Sequence, residues 1–443
     1  MPPATPEAPS YAALIHFAVP VMLASIATPL MGMVDTAVLG RLGDPAIIAA
    51  AGVGATLFTM IFWCFSFLRY TTTAQVAQSI GRADERAMLL AGLRPMVAAV
   101  VGGAALWLLQ RPIGWISLRL LSPPPDVLPL ALDYFRARIW SAPFTLLSYA
   151  QFAWLIAHGR TRTVMLLQLG LNGLNAGLAM LYVLVLHGGI AGAAWATVTS
   201  EVCISVLMTA MLLRSVALAR WRAVLEDAWN AAEWRVLFSA NMDIVIRTLL
   251  LTGSFALMTE RGGQLGTLAL AANQILMQAF LLIANLLDGF AVAAEVFGAR
   301  AIGAGSRSAL VHVVKRTAIL SLGWGVLLAC ALGVFKTPYL NAMTTSAPLK
   351  AEASIYWPWL AGLPVICIWA FLWDGVFIGA VRTRTLRNTM VGSVAIYAPV
   401  LFLLSRVWGN HGIWAALAVL MAARSVLLSL AWPGLRRAVG ESS

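Results

Sequence analysis

The chain has 443 residues, of which 60% are hydrophobic and 11% charged, against roughly 45–50% and 25% in a soluble domain. No water-facing surface can be assembled from this composition. The formal net charge of +12 does not mark a nucleic-acid binder either, because the basic residues sit in short connections between apolar runs.

Twelve spans are expected, at 12–39, 46–70, 88–110, 130–157, 163–187, 189–213, 235–258, 266–292, 311–334, 353–380, 388–406 and 411–434. Each reaches across a hydrocarbon core of ~30 Å when helical. Each must be helical, since an isolated strand leaves its backbone unsatisfied in lipid. The fold class is therefore an all-α polytopic membrane protein, with no polar stretch long enough for a separate soluble domain. The opening MPPATPEAPS has no basic residue and no cleavage site behind a short apolar core, so the first span is expected to be its own insertion signal.

The residues that lipid should exclude carry the information, because each charge at a helix centre costs at least ~2.5–3.5 kcal/mol unless it faces protein or water. The first span holds Asp35 together with Pro20 and Pro29 and has no basic residue. Burial disfavours the charged form of such a carboxylate, which allows it to exchange a proton near neutral pH. The prolines interrupt the backbone ladder and form a hinge. The alternative is an Asp that only finishes the helix near Gly40. In the fifth span Asn172 and Asn175 offer amides to a proton or cation held by Asp35, or serve as plain interhelical hydrogen bonds.

In the seventh span Asp243 and Arg247 stand four residues apart on one face, where they can neutralise each other as a structural ion pair or take part in coupling. Asp288 in the eighth span shares a face with Glu295, which is expected to reach cytoplasmic water. Asp374 in the tenth span has no basic neighbour within a turn. It ranks with Asp288 as a C-terminal acid that matters. Arg69 lies at the end of the second span. Cys64, Cys203, Cys330 and Cys367 all fall in apolar spans, where a thiol behaves as a small hydrophobe; neither a disulfide nor a metal site is expected.

Short motifs recur along the chain. Ile80-Gly81 returns as Ile302-Gly303, Arg160-Thr161-Arg162-Thr163 as Arg382-Thr383-Arg384-Thr385, and Gly189-Ile190 as Gly412-Ile413, at offsets of 222 or 223. Two repeats of six spans follow, an N-lobe at 1–222 and a C-lobe at 223–443, both entering the membrane from the same side. At this offset Glu201 of the sixth span corresponds to Arg424 of the twelfth, a pair expected to carry compensating charge where the halves meet. The even-numbered connections and the C-terminal tail hold about twice the Lys and Arg of the odd-numbered ones. Both termini are therefore expected in the cytoplasm, with the chain in the inner membrane.

Val34-Asp35-Thr36-Ala37 with Gly40, and Gly192-Ala193-Ala194-Trp195-Ala196-Thr197-Val198, resemble signatures of the multidrug and toxic compound extrusion (MATE) transporters. Asn241, Asp243, Arg247 and Thr248, then Leu287-Asp288-Gly289-Phe290-Ala291 with Glu295, and Asp374-Gly375-Val376-Phe377-Ile378-Gly379-Ala380, resemble its DNA-damage-inducible (DinF) branch. The resemblance implies a two-lobed, twelve-helix exporter of organic cations or amphipathic drugs, an antiporter coupled to H⁺ or Na⁺ through the Asp matching Asp35, with Asn175 and Thr197 beside it. One departure bears on the ion. Where the family's fifth span carries a second Asp, this chain has Ala179, which favours H⁺, since Na⁺ wants several oxygens and a proton one base.

No cofactor is expected beyond the coupling ion. The partners are lipid and a small cationic or amphipathic substrate, with no nucleic acid, and the protein is expected to be a monomer. An ATP-driven pump is disfavoured by the lack of a G-x-x-x-x-G-K-[ST] loop, and a membrane enzyme by the lack of H-E-x-x-H or of converging His and Ser. A major-facilitator transporter shares the two six-helix halves, but the motifs above do not favour it. A lipid-linked oligosaccharide flippase of related plan remains the alternative; it should hold pyrophosphate with buried bases, whereas here acids outnumber bases within the spans.

Overall fold

The computed structural model describes residues 8–121 and 124–439, apart from some side chains within helices. Every regular element among them is helical. The first half runs α1 (Tyr11–Gly40), α2 (Pro45–Trp63), α3 (Phe67–Gly81), α4 (Glu85–Leu108), α5 (Gln110–Leu121), α6 (Val127–Arg138), α7 (Ala142–Ala157), α8 (Thr161–Ala179), α9 (Gly189–Ser215) and α10 (Leu218–Ala223). The second half runs α11 (Ala231–Gln264), α12 (Thr267–Gly303), α13 (Arg307–Met343), α14 (Ala347–Gly379), α15 (Thr383–Trp408) and α16 (Asn410–Ala438).

Ten stretches among the described residues are long and apolar enough to cross a membrane. The other two expected spans are helical as well. The first is α1. The fourth is α6 and α7 joined by a 3-10 turn at Ile139–Ser141. It begins at Val127 rather than 130, and Asp133, Arg136 and Arg138 lower its hydropathy. Large apolar side chains such as Leu108 and Val334 are 85% and 74% exposed, a surface that only lipid tails leave unpenalised.

The described chain divides into two compact units. One comprises 23–79 and 84–238; the other comprises 239–443 together with residues up to 22 and 80–83. The expected boundary at 222/223 is thus displaced to 238/239. The physical reason lies in the connection after α9. Arg220 pairs with Glu85 at 2.5 Å, Arg86 pairs with Asp227, and Arg94 donates to the Asp227 carbonyl at 3.1 Å, fastening this segment to the start of α4.

The repeat is written into the backbone as well as into the motifs. Asp84 accepts from the Ala87 N–H to cap α4, and Ser306, 222 residues on, accepts from Ala309 to cap α13. Left-handed backbone recurs at the same offset, at Ala83 (φ 54°) and Gly305 (φ 67°), at Gly159 (φ 77°) and Val381 (φ 54°), and at His187 (φ 52°) and Gly409 (φ 57°). At one of these positions a β-branched residue stands where its counterpart is Gly, which costs roughly 1–2 kcal/mol in that region. Val381→Gly is therefore expected to raise stability by up to about 1 kcal/mol after the greater chain entropy of glycine is allowed for, read as a later thermal transition in detergent. An unchanged or earlier transition would show that the turn carries no strain.

Each unit packs its own interior. In the C-terminal unit Leu276, Leu360, Tyr397, Trp414 and Met421 are buried together. The polar atoms there are matched: the Tyr397 hydroxyl donates to the Ser254 carbonyl at 2.9 Å, and the Trp414 indole N–H donates to Asn273 Oδ1 at 2.8 Å. α14 lies close on α12 because Gly375 and Gly379 have no side chain. A Cβ at either position would collide with the carbonyl oxygen of Ala291 or Glu295. In the N-terminal unit Phe58, Phe62, Tyr134, Phe135 and Leu146 form the core. A smaller cluster gathers Val38 and Leu39 of α1, Ala179 and Val183, and Ala193 and Ala196 of α9.

Candidate functional site

Asp35 lies inside α1, one turn before Val38 and Leu39, so it does not finish the helix. It is half-buried. The Asn175 side chain, wholly buried on α8, donates from Nδ2 to Asp35 Oδ1 at 2.8 Å. Asn175 is thus brought to Asp35 as expected. Asn172, one turn earlier, instead donates to the Ala27 carbonyl. The amide oxygens of both asparagines are buried without a hydrogen-bond partner among the described residues, two acceptors left open on α8. α8 gives way to a π-helical turn at Met180–Val185 just beyond, a distortion frequent near functional sites. Thr197 is buried, and its hydroxyl donates to the Ala193 carbonyl at 3.2 Å. Pro20 is buried within α1. The Pro29 side chain lies outside the described residues.

Glu201 and Arg424 each find a partner within their own unit. Arg138 reaches Glu201 through both amino groups, at 2.8 and 3.1 Å, and the Thr145 hydroxyl donates to the same carboxylate. Both charged side chains of this pair are 7% exposed. Arg138 lies inside the expected fourth span but was not among the charges singled out there. The available signal was a base inside the apolar run Leu128–Trp140.

The C-terminal acids are likewise held. Asp374 accepts from both Arg247 and Arg424 through its Oδ2 atom. Arg247 therefore does not neutralise Asp243, and Asp374, without a base nearby in sequence, receives two from α11 and α16. Asp243 instead accepts from Arg387 at 2.6 Å and from the Thr383 hydroxyl at 3.1 Å, both from the first turns of α15. Arg387 had counted only as a charge of a connection. Glu295 is 3% exposed, so it is buried in the packing of α12 rather than placed in water. Asp288 is half-buried on the same helix. No cluster of three or more potential metal-ligating His, Cys, Asp or Glu side chains occurs among the described residues.

Comparison with known proteins follows this geometry. The MatE family model matches residues 20–181 and 244–403, one segment in each repeat. The chain is 35% identical over 424 residues to DNA damage-inducible protein F of Escherichia coli, covering 95% of this chain and 91% of that one. It is 31% identical over 199 residues to the multidrug resistance protein PmpM of Pseudomonas aeruginosa, covering 42% of this chain and 39% of that one. Among solved structures, the Vibrio cholerae MATE transporter VcmN in its bent form superposes with a TM-score of 0.84 at 20% identity, covering 97% of each chain. The helices described above thus form the two-lobed fold of these transporters.

Proposed function

The chain belongs to the MatE family of multidrug and toxin efflux transporters, and on that premise we propose that it is an antiporter, exporting organic cations or amphipathic drugs in exchange for H⁺. One observation carries the reading. Glu201, Asp243 and Asp374 are each held by arginine, whereas the hydrogen bond to Asp35 comes from an uncharged amide. A carboxylate held in this way answers to whichever cation arrives, proton or drug. Competition between the two for one group is what couples their movements.

The ionised carboxylate favours a cationic substrate taken from the cytoplasm. A proton from the other side then neutralises Asp35 and the substrate leaves. The basic residues of the even-numbered connections support cytoplasmic termini and insertion in the inner membrane. H⁺ is favoured over Na⁺ because residue 179 is a buried Ala and Asn175 turns a donor toward Asp35; a sodium ion there would need further oxygens.

The test is pH-gradient-driven movement of a fluorescent organic cation in proteoliposomes. Accumulation that follows the pH gradient is expected, with no stimulation by Na⁺ at fixed pH. One proton exchanged for one monovalent cation moves no net charge, so an imposed membrane potential should leave the accumulation unchanged. Stimulation by Na⁺ would overturn proton coupling. Failure to move any cation, together with movement of a pyrophosphate-linked lipid, would return the reading to a flippase.

A further inference from the structure

Arg138 and Glu201 form a buried charge pair that the cycle above does not use. Arg138 sits over the rings of Phe58 and Phe62, 5.4 and 5.6 Å from their centroids, and donates to Glu201 and to the Ser141 hydroxyl. A guanidinium in such a place is strongly disfavoured without its counter-charge. The pair stands near Asp35. Val38 and Leu39 of α1 share a cluster with Ala193 and Ala196 of α9, and Asp35 lies one turn before the former. Thr197 and Glu201 follow the latter on one face of α9, four residues apart, which is ~6 Å along the helix axis.

The other elements add little charge to this interior. α8 contributes the amides of Asn172 and Asn175. α7 contributes the Tyr149 phenol, and α3 the Arg69 guanidinium, which sits over the ring of its neighbour Tyr70. The cluster of Asp35, Glu201 and Arg138 therefore has one more negative than positive charge when both carboxylates are ionised.

We propose that Glu201 is a positioning residue for transport: it holds Arg138 away from Asp35, so that the N-terminal unit keeps one unanswered negative charge for a proton or a cationic substrate to satisfy. The pair does not touch the substrate. It decides whether Asp35 is available to it. Without Glu201 the guanidinium would answer Asp35 permanently, and exchange would have no vacant charge to act on.

This inference rests on Asp35 as the coupling group. The test is binding of tetraphenylphosphonium to the purified full chain in detergent, followed by calorimetry across the neutral pH range. Glu201→Gln is expected to weaken binding at every pH by about tenfold or more, the equivalent of one pH unit. The double variant Arg138→Gln with Glu201→Gln should bind the cation again. Its pH midpoint should lie above that of Glu201→Gln, because the freed guanidinium that favours the ionised carboxylate in the single variant is gone. A purely structural pair would lower thermal stability in these variants and leave both affinity and midpoint alone, which overturns the proposal. If Glu201→Gln does not fold, Glu201→Asp takes its place: its carboxylate is one methylene shorter, so it should hold Arg138 less well and weaken binding, and undiminished affinity refutes the role. Asp35→Asn is measured alongside. Undiminished binding there refutes the reading of Asp35 itself, whereas lost binding there with wild-type affinity in Glu201→Gln refutes only the role of Glu201 and Arg138.

Discussion

Asp35→Asn is expected to abolish pH-gradient-driven accumulation while leaving the protein folded. Asn is nearly isosteric with a protonated Asp and can still accept from Asn175 Nδ2 through its own amide oxygen, so the contact between α1 and α8 survives. What disappears is the group that changes charge. A gradient of one pH unit is worth about 1.4 kcal/mol, or about tenfold accumulation in a one-for-one exchange. The variant should fall from that value to none at equal folded amounts in the same liposomes. The sign is fixed by the ionised form being the one that attracts the cation: substrate binding by the wild type weakens as pH falls, and in the variant it should be weak and independent of pH. Accumulation that survives the substitution would move coupling to the C-terminal acids, with Asp288 the first to test.

Asp374→Ala is expected to act on stability before it acts on transport. Asp374 is the shared counter-charge of Arg247 and Arg424, which come from two different helices. Removing it leaves two guanidinium groups facing each other inside the unit, and breaking a buried pair from one side typically costs about 3–5 kcal/mol. A large drop in the thermal transition in detergent, with poor recovery of folded protein, is the expected result. Replacing all three residues with apolar ones of similar size should restore much of the loss, because the two guanidinium groups that shared Asp374 are then gone. If Asp374→Ala melts like wild type but no longer transports, the trio is part of the transport machinery and its structural role is minor.

Asp243 and Arg247 mark the limit of reading pairs from spacing. Four residues apart on α11, they share a helix face, and the mutual ion pair was the natural expectation. Packing offered each a better partner from another helix, Arg387 for Asp243 and Asp374 for Arg247. Long arginine side chains reach across a helix interface as readily as along one helix, so local spacing does not decide among them. Glu201 and Arg424 teach the same point about the repeat. Equivalent positions carry charge in both copies, yet each copy completes its pair internally, with the base on α6 in one and the acid on α14 in the other.

Much was determined by the residues alone. The apolar runs require helices, because lipid offers the backbone no other hydrogen-bond partners. The recurring motifs require two equivalent halves, and the matched caps and left-handed turns show that repeat in the backbone. Asp35 stood out as an acid without a nearby base, and its amide neighbour on the fifth span was named in advance. The tertiary structure alone decided which charges are answered. It paired Arg138 with Glu201 and Arg387 with Asp243, buried Glu295, and placed two arginines on Asp374. The physical reason is one of range: hydropathy and backbone satisfaction act within a segment, whereas a buried charge is settled by whichever opposite charge packing brings within hydrogen-bond distance, and that is a property of several helices at once.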